Sequence, residues 1–320
     1  MGGRAMNVIE AINRYTGYRV NLGEKVHTLK YLLLGFGRHV GSHQPLDQIS
    51  EETCLSYLSL KGTRNGIATS YWFCIYSAIN GLYKWAMARG YAEYCPLPKD
   101  KPREPETFKP YIYTMEELSR IFETALTYRK RFNIEYPIVI QTMLKVTCFL
   151  GLRPSETVNL HIGDVDVPNR LIIIRVTKFY KSRLVPVSEP VMKIIRDYIS
   201  WRSGTVRNTK ATENHLFIDK RNRHVKLTAL QQAFRLICAK ADIHRHDTGR
   251  CDVRLQDMRH TFATSRVIQW YNEGLDVQEL LPALSTYLGH CNLDSTAAYI
   301  TLTDNLLYEA GNKFKSYVEI

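Results

Sequence analysis

Four separated segments of the chain carry side chains that could act together on an anion. Gly151-Leu-Arg-Pro-Ser-Glu156 puts Arg153 at a turn just after an apolar helical run, and Thr177-Lys-Phe-Tyr-Lys-Ser-Arg183 puts Lys178 at the tip of two extended stretches. Leu255-Gln-Asp-Met-Arg-His-Thr-Phe-Ala263 opens a helix with Arg259 and His260 in its first turns, and Leu288-Gly-His290 ends nine residues before Tyr299. A guanidinium is a rigid, permanently charged fork of donors that matches two oxygens of an oxyanion. A cation in the first turn of a helix opposes the helix dipole, so Arg259 is more comfortable beside an anion than without one. A phenol has a pKa of ~10 and serves as a nucleophile near neutral pH only when its proton removal is assisted. Each segment alone also admits a plain reading: Arg153 capping helix carbonyls, Lys178 solubilising a hairpin tip, Tyr299 packing like most of the twenty tyrosines.

Taken together and in this order, the segments resemble the tyrosine recombinase (phage integrase) family over nearly the whole chain. That family's pattern has an Arg in a G-L-R-x-x-E box, a Lys on a β-hairpin, an H-x-x-R box, an L-G-H box and a Tyr nine residues after the last His. Arg153 with Glu156, Lys178, Arg259, His290 and Tyr299 match it. The run Leu280-Leu-Pro-Ala-Leu-Ser-Thr-Tyr-Leu-Gly-His290 is most similar to integrases carried by transposable elements.

The resemblance implies an enzyme that cuts and rejoins double-stranded DNA at specific sites. Tyr299 would attack phosphorus to give a 3′-phosphotyrosine and a free 5′-hydroxyl, while Arg153 and Arg259 stabilise charge on the non-bridging oxygens. Lys178 would protonate the leaving oxygen, His290 and the arginines would assist Tyr299, and Glu156 would orient its neighbours. Because the intermediate conserves the bond energy, the scheme requires no ATP, no metal and no other cofactor. One position departs from the pattern. Gln256 stands where the family has His or, less often, Lys, and an amide can hydrogen-bond a phosphate oxygen but cannot exchange a proton near neutral pH. Arg254 and His260 are the neighbours that could substitute in part. Gln256 also motivates an alternative, an accessory DNA-binding protein of the same fold without catalysis; a type IB topoisomerase is the other.

The elements that must position these residues read as mainly α with a small antiparallel β-sheet, an α+β fold. The first hundred residues suggest four or five helices. Leu29, Leu32, Leu33 and Phe36 keep helical spacing, Ser50 is placed to cap a helix carrying Leu55 and Leu58, and a longer periodic stretch runs from Ile67 to Ala88. Five prolines in the sixteen residues Cys95 to Pro110 mark an extended connector. Thr114-Met-Glu-Glu117 then supplies a capping box. The expected division is a helical core-binding (SAM-like) domain over 1–100, a linker over 101–112 and a catalytic domain over 113–320. Within the last, Pro137 to Leu150 reads as an apolar helix stopped by Gly151. Asp164–Asp166, Arg170–Thr177 and Arg183–Val187 read as a three-stranded meander. Helices are expected at Pro190–Trp201, Thr228–Ala241, Asp257–Tyr271, Val277–Tyr287 and beyond Asp304. By the resemblance, that last, amphipathic stretch docks on a neighbouring protomer and implies dimers and tetramers on DNA.

Composition agrees with a polyanionic partner. Forty-three Lys and Arg against 31 Asp and Glu leave a net charge of +12, clustered at Tyr128–Arg131, Lys178–Arg183, Lys220–Lys226 and Arg245–Arg254. Seven scattered cysteines without a C-x-x-C pair argue for a reducing compartment and against a disulfide framework or zinc ribbon. No stretch approaches the ~20 apolar residues of a membrane helix, and the first residues carry no secretory signal, so a cytoplasmic location is expected.

Overall fold

The computed structural model describes residues 6–103, 109–127, 136–175, 182–205, 214–245, 252–290, 296, 299, 300 and 303. Lys178 and the C-terminal stretch expected beyond Asp304 lie outside the described residues. The chain forms two compact units, one ending within the Pro-rich connector and one beginning there.

The first unit is helical, with α1 Val8–Asn21, α2 His27–Val40, α3 Glu51–Gly62 and α4 Ser70–Met87. Asn7 and Ser50 cap α1 and α3 by accepting backbone N–H bonds, which satisfies donors that the first turn leaves open. Ile12, Leu33, Phe36, Leu58, Ile75, Ile79 and Leu82 form the centre of its core. The long helix starts later than its periodicity suggests. Residues 67 and 68 belong to a small hairpin, β1 Thr63–Arg64 and β2 Ile67–Ala68, and Ile67 is 71% exposed. Asn65 and Gly66 both have positive φ (51° and 75°), as a two-residue hairpin turn requires, and this local preference overrides the helical spacing. The start of the connector belongs to this core as well, because Leu97 is buried in it and Tyr76 Oη donates to the Pro98 carbonyl at 3.0 Å.

The second unit contains α5 Met115–Leu126, α6 Pro137–Phe149, α7 Pro154–Val158, β3 Val165–Asp166, β4 Leu171–Ile174, β5 Arg183–Pro186, α8 Glu189–Thr205, α9 Leu227–Lys240, α10 Asp257–Asn272 and α11 Val277–Leu288. The expected capping box opens α5: Thr114 Oγ1 accepts from Glu117 N–H, and Glu117 returns the bond. Helix α6 is apolar on nearly every side, so it can only be stable inside; α5, α8 and α10 surround it. The three strands form an antiparallel meander in the order β3-β4-β5, with Ile172 opposite Val185 and Ile174 opposite Arg183. A smaller apolar cluster joins α10 to α11 through Ala263, Val267, Leu281, Leu284 and Leu288, and Tyr299 is part of it. Thr296, Tyr299, Ile300 and Thr303 are helical. Among the described residues no helix is long and apolar enough to cross a membrane.

Gly151 ends α6 with φ +59°, and a Cβ there would lie 2.4 Å from Phe262 Cδ1 of α10. The glycine therefore permits both the left-handed turn and the close approach of α10 to the segment bearing Arg153. Gly151→Ala should destabilise the protein by roughly 1–3 kcal/mol through backbone strain and overpacking. Urea denaturation checks this, and an unchanged midpoint would show that the turn relaxes freely.

Candidate active site

Arg153 precedes α7, and its backbone N–H donates to Glu156 Oε2 at 3.0 Å, so the G-L-R-x-x-E spacing lets the Glu156 carboxylate satisfy a backbone donor at the start of this short helix. Its guanidinium donates to Glu156 Oε1 at 2.7 Å and to the Gly289 carbonyl at 3.0 Å. Arg259, the third residue of α10, is 1% exposed; it donates to the Gly151 carbonyl at 2.9 Å and the Leu288 carbonyl at 2.6 Å, and lies 3.9 Å from Glu156 Oε2. The two arginines, 106 residues apart in the chain (259 − 153), thus converge on one corner. It is built from the carbonyl ends of α6 and α11, where positive charge is favoured.

A third arginine completes the corner, one that the sequence marks as part of a basic cluster and the start of a strand but not as a site residue. Arg183 donates to both Glu156 oxygens, at 3.0 and 2.8 Å, and to the Tyr287 carbonyl at 2.8 Å. Its signal was present: Arg183, Val185 and Val187 alternate inward along β5, and a charge on the inward face of a strand demands a partner. Gly289 makes room for it, since a Cβ there would lie 2.9 Å from Arg183 Nη1. Burial alone would raise the Glu156 carboxyl, but the hydrogen bonds and charge of Arg183, with those of Arg153, pull it down to about 2.

Tyr299 is 4% exposed, and its hydroxyl lies 3.1 Å from His260 Nδ1. The His290 ring lies nearly parallel to the Tyr299 ring, with centroids 6.2 Å apart and planes at 20°, and its Nδ1 is 2.7 Å from Thr296 Oγ1. Burial, reinforced by Arg259 and Arg153, lowers His290 to about 4, so it is neutral at neutral pH. Burial raises the Tyr299 phenol, and the charges of Arg259 and Arg153 pull in the opposite direction. Burial also lowers Arg259 to about 10, which leaves it charged at neutral pH.

Beside this corner a cavity of about 560 Å³ is lined by Arg153, Gln231, Arg235, Arg254 and Gln256 over a floor that includes Phe234 and Leu255. Arg254 donates to the buried Asp257 at 2.9 Å. The structure therefore brings together Arg153, Glu156, Arg259, His260, His290 and Tyr299, and places Gln256 on the cavity that Arg153 also lines. Lys178 is outside the described residues. Among the described residues no cluster of three or more His, Cys, Asp or Glu side chains could hold a metal ion.

The phage integrase family model matches residues 113–305, more than half of the chain. The protein belongs to this family. A Sinorhizobium fredii protein named integrase/recombinase y4rB is 28% identical over 94% of this chain and 95% of its own length. Tyrosine recombinase XerA of Thermococcus kodakarensis is 27% identical over 96% and 95%. Among solved structures, the Tn1549 transposon integrase in complex with transposon right end DNA superposes with a TM-score of 0.68 at 17% identity, covering 95% of this chain and 99% of that one. XerH site-specific recombinase bound to its difH substrate gives 0.66 at 19% identity, over 91% and 80%. These integrase-family likenesses agree with the mainly helical fold and its small antiparallel sheet.

The Glu156 carboxyl makes stability pH-dependent in a definite direction. Its folded-state pKa lies below the ordinary 4.5, so the stabilisation is complete above that value and is lost as pH falls toward about 2. Denaturation measured from pH 6 to pH 2 should show this loss. Glu156→Gln should be less stable at neutral pH but flatter across the acid range; an equally steep slope in that variant would assign the titration to another group.

Proposed function

We propose that the protein is a site-specific DNA recombinase, an integrase of the tyrosine type, in which Tyr299 forms a 3′-phosphotyrosine intermediate. The observation that carries this reading is the meeting of Arg153, Arg259, His260, His290 and Tyr299 at one corner, from segments far apart in the chain. A guanidinium has five N–H donors, so the carbonyl and carboxylate bonds exhaust neither arginine, and both keep donors for the non-bridging oxygens of a scissile phosphate. These fixed dipoles stabilise the charge that concentrates there as the phosphorane forms. His290, fixed through Nδ1 by Thr296, offers its other ring nitrogen to the same phosphate. Gln256 contributes an amide hydrogen bond, and Lys178, on the segment entering β5, protonates the departing 5′-oxygen. Glu156 holds the guanidiniums in place. The reaction conserves the phosphodiester energy in the protein–DNA bond and requires neither ATP nor a metal.

The first unit is proposed as a helical core-binding domain of the SAM-like kind over 1–100, joined by a linker over 101–112 to a catalytic domain over 113–320. Its groove lined by Tyr31, Arg38, His39, Tyr57, Lys61 and Tyr71 alternates cations and aromatic rings, which suits a phosphate backbone. Double-stranded DNA is the partner, in keeping with the net charge of +12 and with the DNA-bound forms of the Tn1549 integrase and XerH. Dimers and tetramers joined through the C-terminal tail would assemble on that DNA, in the cytoplasm.

Incubation with nicked suicide substrates carrying the element's own ends tests the reading. The wild-type protein should form a denaturant-resistant adduct, Tyr299→Phe should form none while keeping its DNA affinity, and Arg153→Ala should cleave roughly 10²–10³ times more slowly. Adduct formed by Tyr299→Phe would refute the assignment of the nucleophile. Absence of adduct from the wild-type protein, with DNA still bound, would leave the accessory role that Gln256 favours.

A further inference from the structure

We infer that His260 accepts the proton of Tyr299 as the phenol attacks, replacing a proton exchanger that this chain lacks at position 256. The inference rests on the proposed recombinase reading and adds to it the identity of the base. Nδ1 of His260 lies 3.1 Å from the Tyr299 hydroxyl, within direct proton-transfer reach. Among the described residues, the other candidates are worse placed or chemically unfit. His290 meets Tyr299 ring to ring, with planes at 20°, and its Nδ1 is engaged by Thr296. Arg153 and Arg259 are charged and cannot accept a proton, Arg254 is paired with Asp257, and the Gln256 amide is not a base at neutral pH.

The surroundings of His260 suit the role. Burial keeps its imidazole below the usual value, so at neutral pH the ring is uncharged and Nδ1 can accept while Tyr299 donates. The groups bearing on its charge are Asp257, Arg254 and Arg259 from its own helix and approach, and Tyr299 and His290 from the segments after α11. Asp257, one turn earlier on α10 and wholly buried, favours the imidazolium that proton transfer creates, against the two arginines. In cleavage the Oη–H bond breaks as the Oη–P bond forms, and the proton passes to Nδ1. The P–O5′ bond breaks, and the 5′-oxygen takes a different proton from the general acid. Rejoining runs the steps backward, the imidazolium returning its proton to the departing phenolate, so no external acid, base or oxidant is consumed.

Single-turnover adduct formation on the suicide substrate, followed from pH 6 to pH 9.5, tests this in His260→Ala and His260→Asn. The asparagine variant retains a polar side chain and guards against a misfolded alanine variant. Both should cleave roughly 10²-fold or more slowly at pH 7, with DNA affinity within about twofold of wild type. The deficit should shrink as pH rises toward the phenol's own ionisation, and added imidazole should recover part of the rate of His260→Ala. Wild-type rates, or a loss of the same size at every pH, would overturn the inference. Nitrogen-15 NMR of the DNA-free protein gives a reading independent of activity: His260 should carry its proton on Nε2, and a proton on Nδ1 would overturn the assignment even if the wild-type protein forms adduct. A wild-type protein that forms no adduct fails the recombinase reading itself, and the base assignment falls with it.

Discussion

Three guanidiniums approach a single buried carboxylate, and each is also tied to a successive carbonyl at the end of α11: Arg183 to Tyr287, Arg259 to Leu288 and Arg153 to Gly289. Three like charges so close would repel strongly in a poorly solvated corner. They are tolerated because Glu156 supplies a full negative charge and the helix end supplies a partial one. What remains is an excess of positive charge that no group among the described residues of the corner cancels, and a phosphate diester is the natural complement. Structural anchoring and anion attraction are therefore one arrangement. The carbonyls and carboxylate fix where the forks point, and the uncancelled charge decides what they attract.

The same corner governs the acid–base character of its neighbours. Burial and the arginines hold His290 neutral, while burial makes the Tyr299 proton hard to remove and the arginine charges ease it. The Tyr299 phenol, 4% exposed, meets the His260 imidazole within hydrogen-bond distance rather than bulk water. The arginine charges and the His260 imidazole thereby bear on the same phenol.

Much of this was legible before any coordinates. The G-L-R-x-x-E and L-G-H boxes drew attention to Arg153 and His290, the Thr114 capping box located the start of α5, and short extended runs separated by turn residues located the three strands of the meander. Other features were written locally but overlooked. Asn65-Gly66 is a hairpin signal, and it breaks the helical stripe that starts at Ile67. The inward alternation of Arg183 with Val185 and Val187 likewise announced a buried charge. Its partner was not announced, because the pairing with Glu156 spans 27 residues and depends on how β5 lies against α7. The separation of 39 positions from His260 to Tyr299 hides their contact for the same reason: only packing of α10 against the segments after α11 brings the two together.

The pairing of Ile174 with Arg183 has a consequence for how this sheet can evolve. Side chains on a strand alternate with a period of two, so a slip of β5 by one residue would send the guanidinium outward and bring Leu184 against Glu156. A hydrophobic partner would then face a buried, unneutralised carboxylate. The ion pair thus acts as a lock on strand alignment: β5 cannot shift phase without parting Arg183 from Glu156.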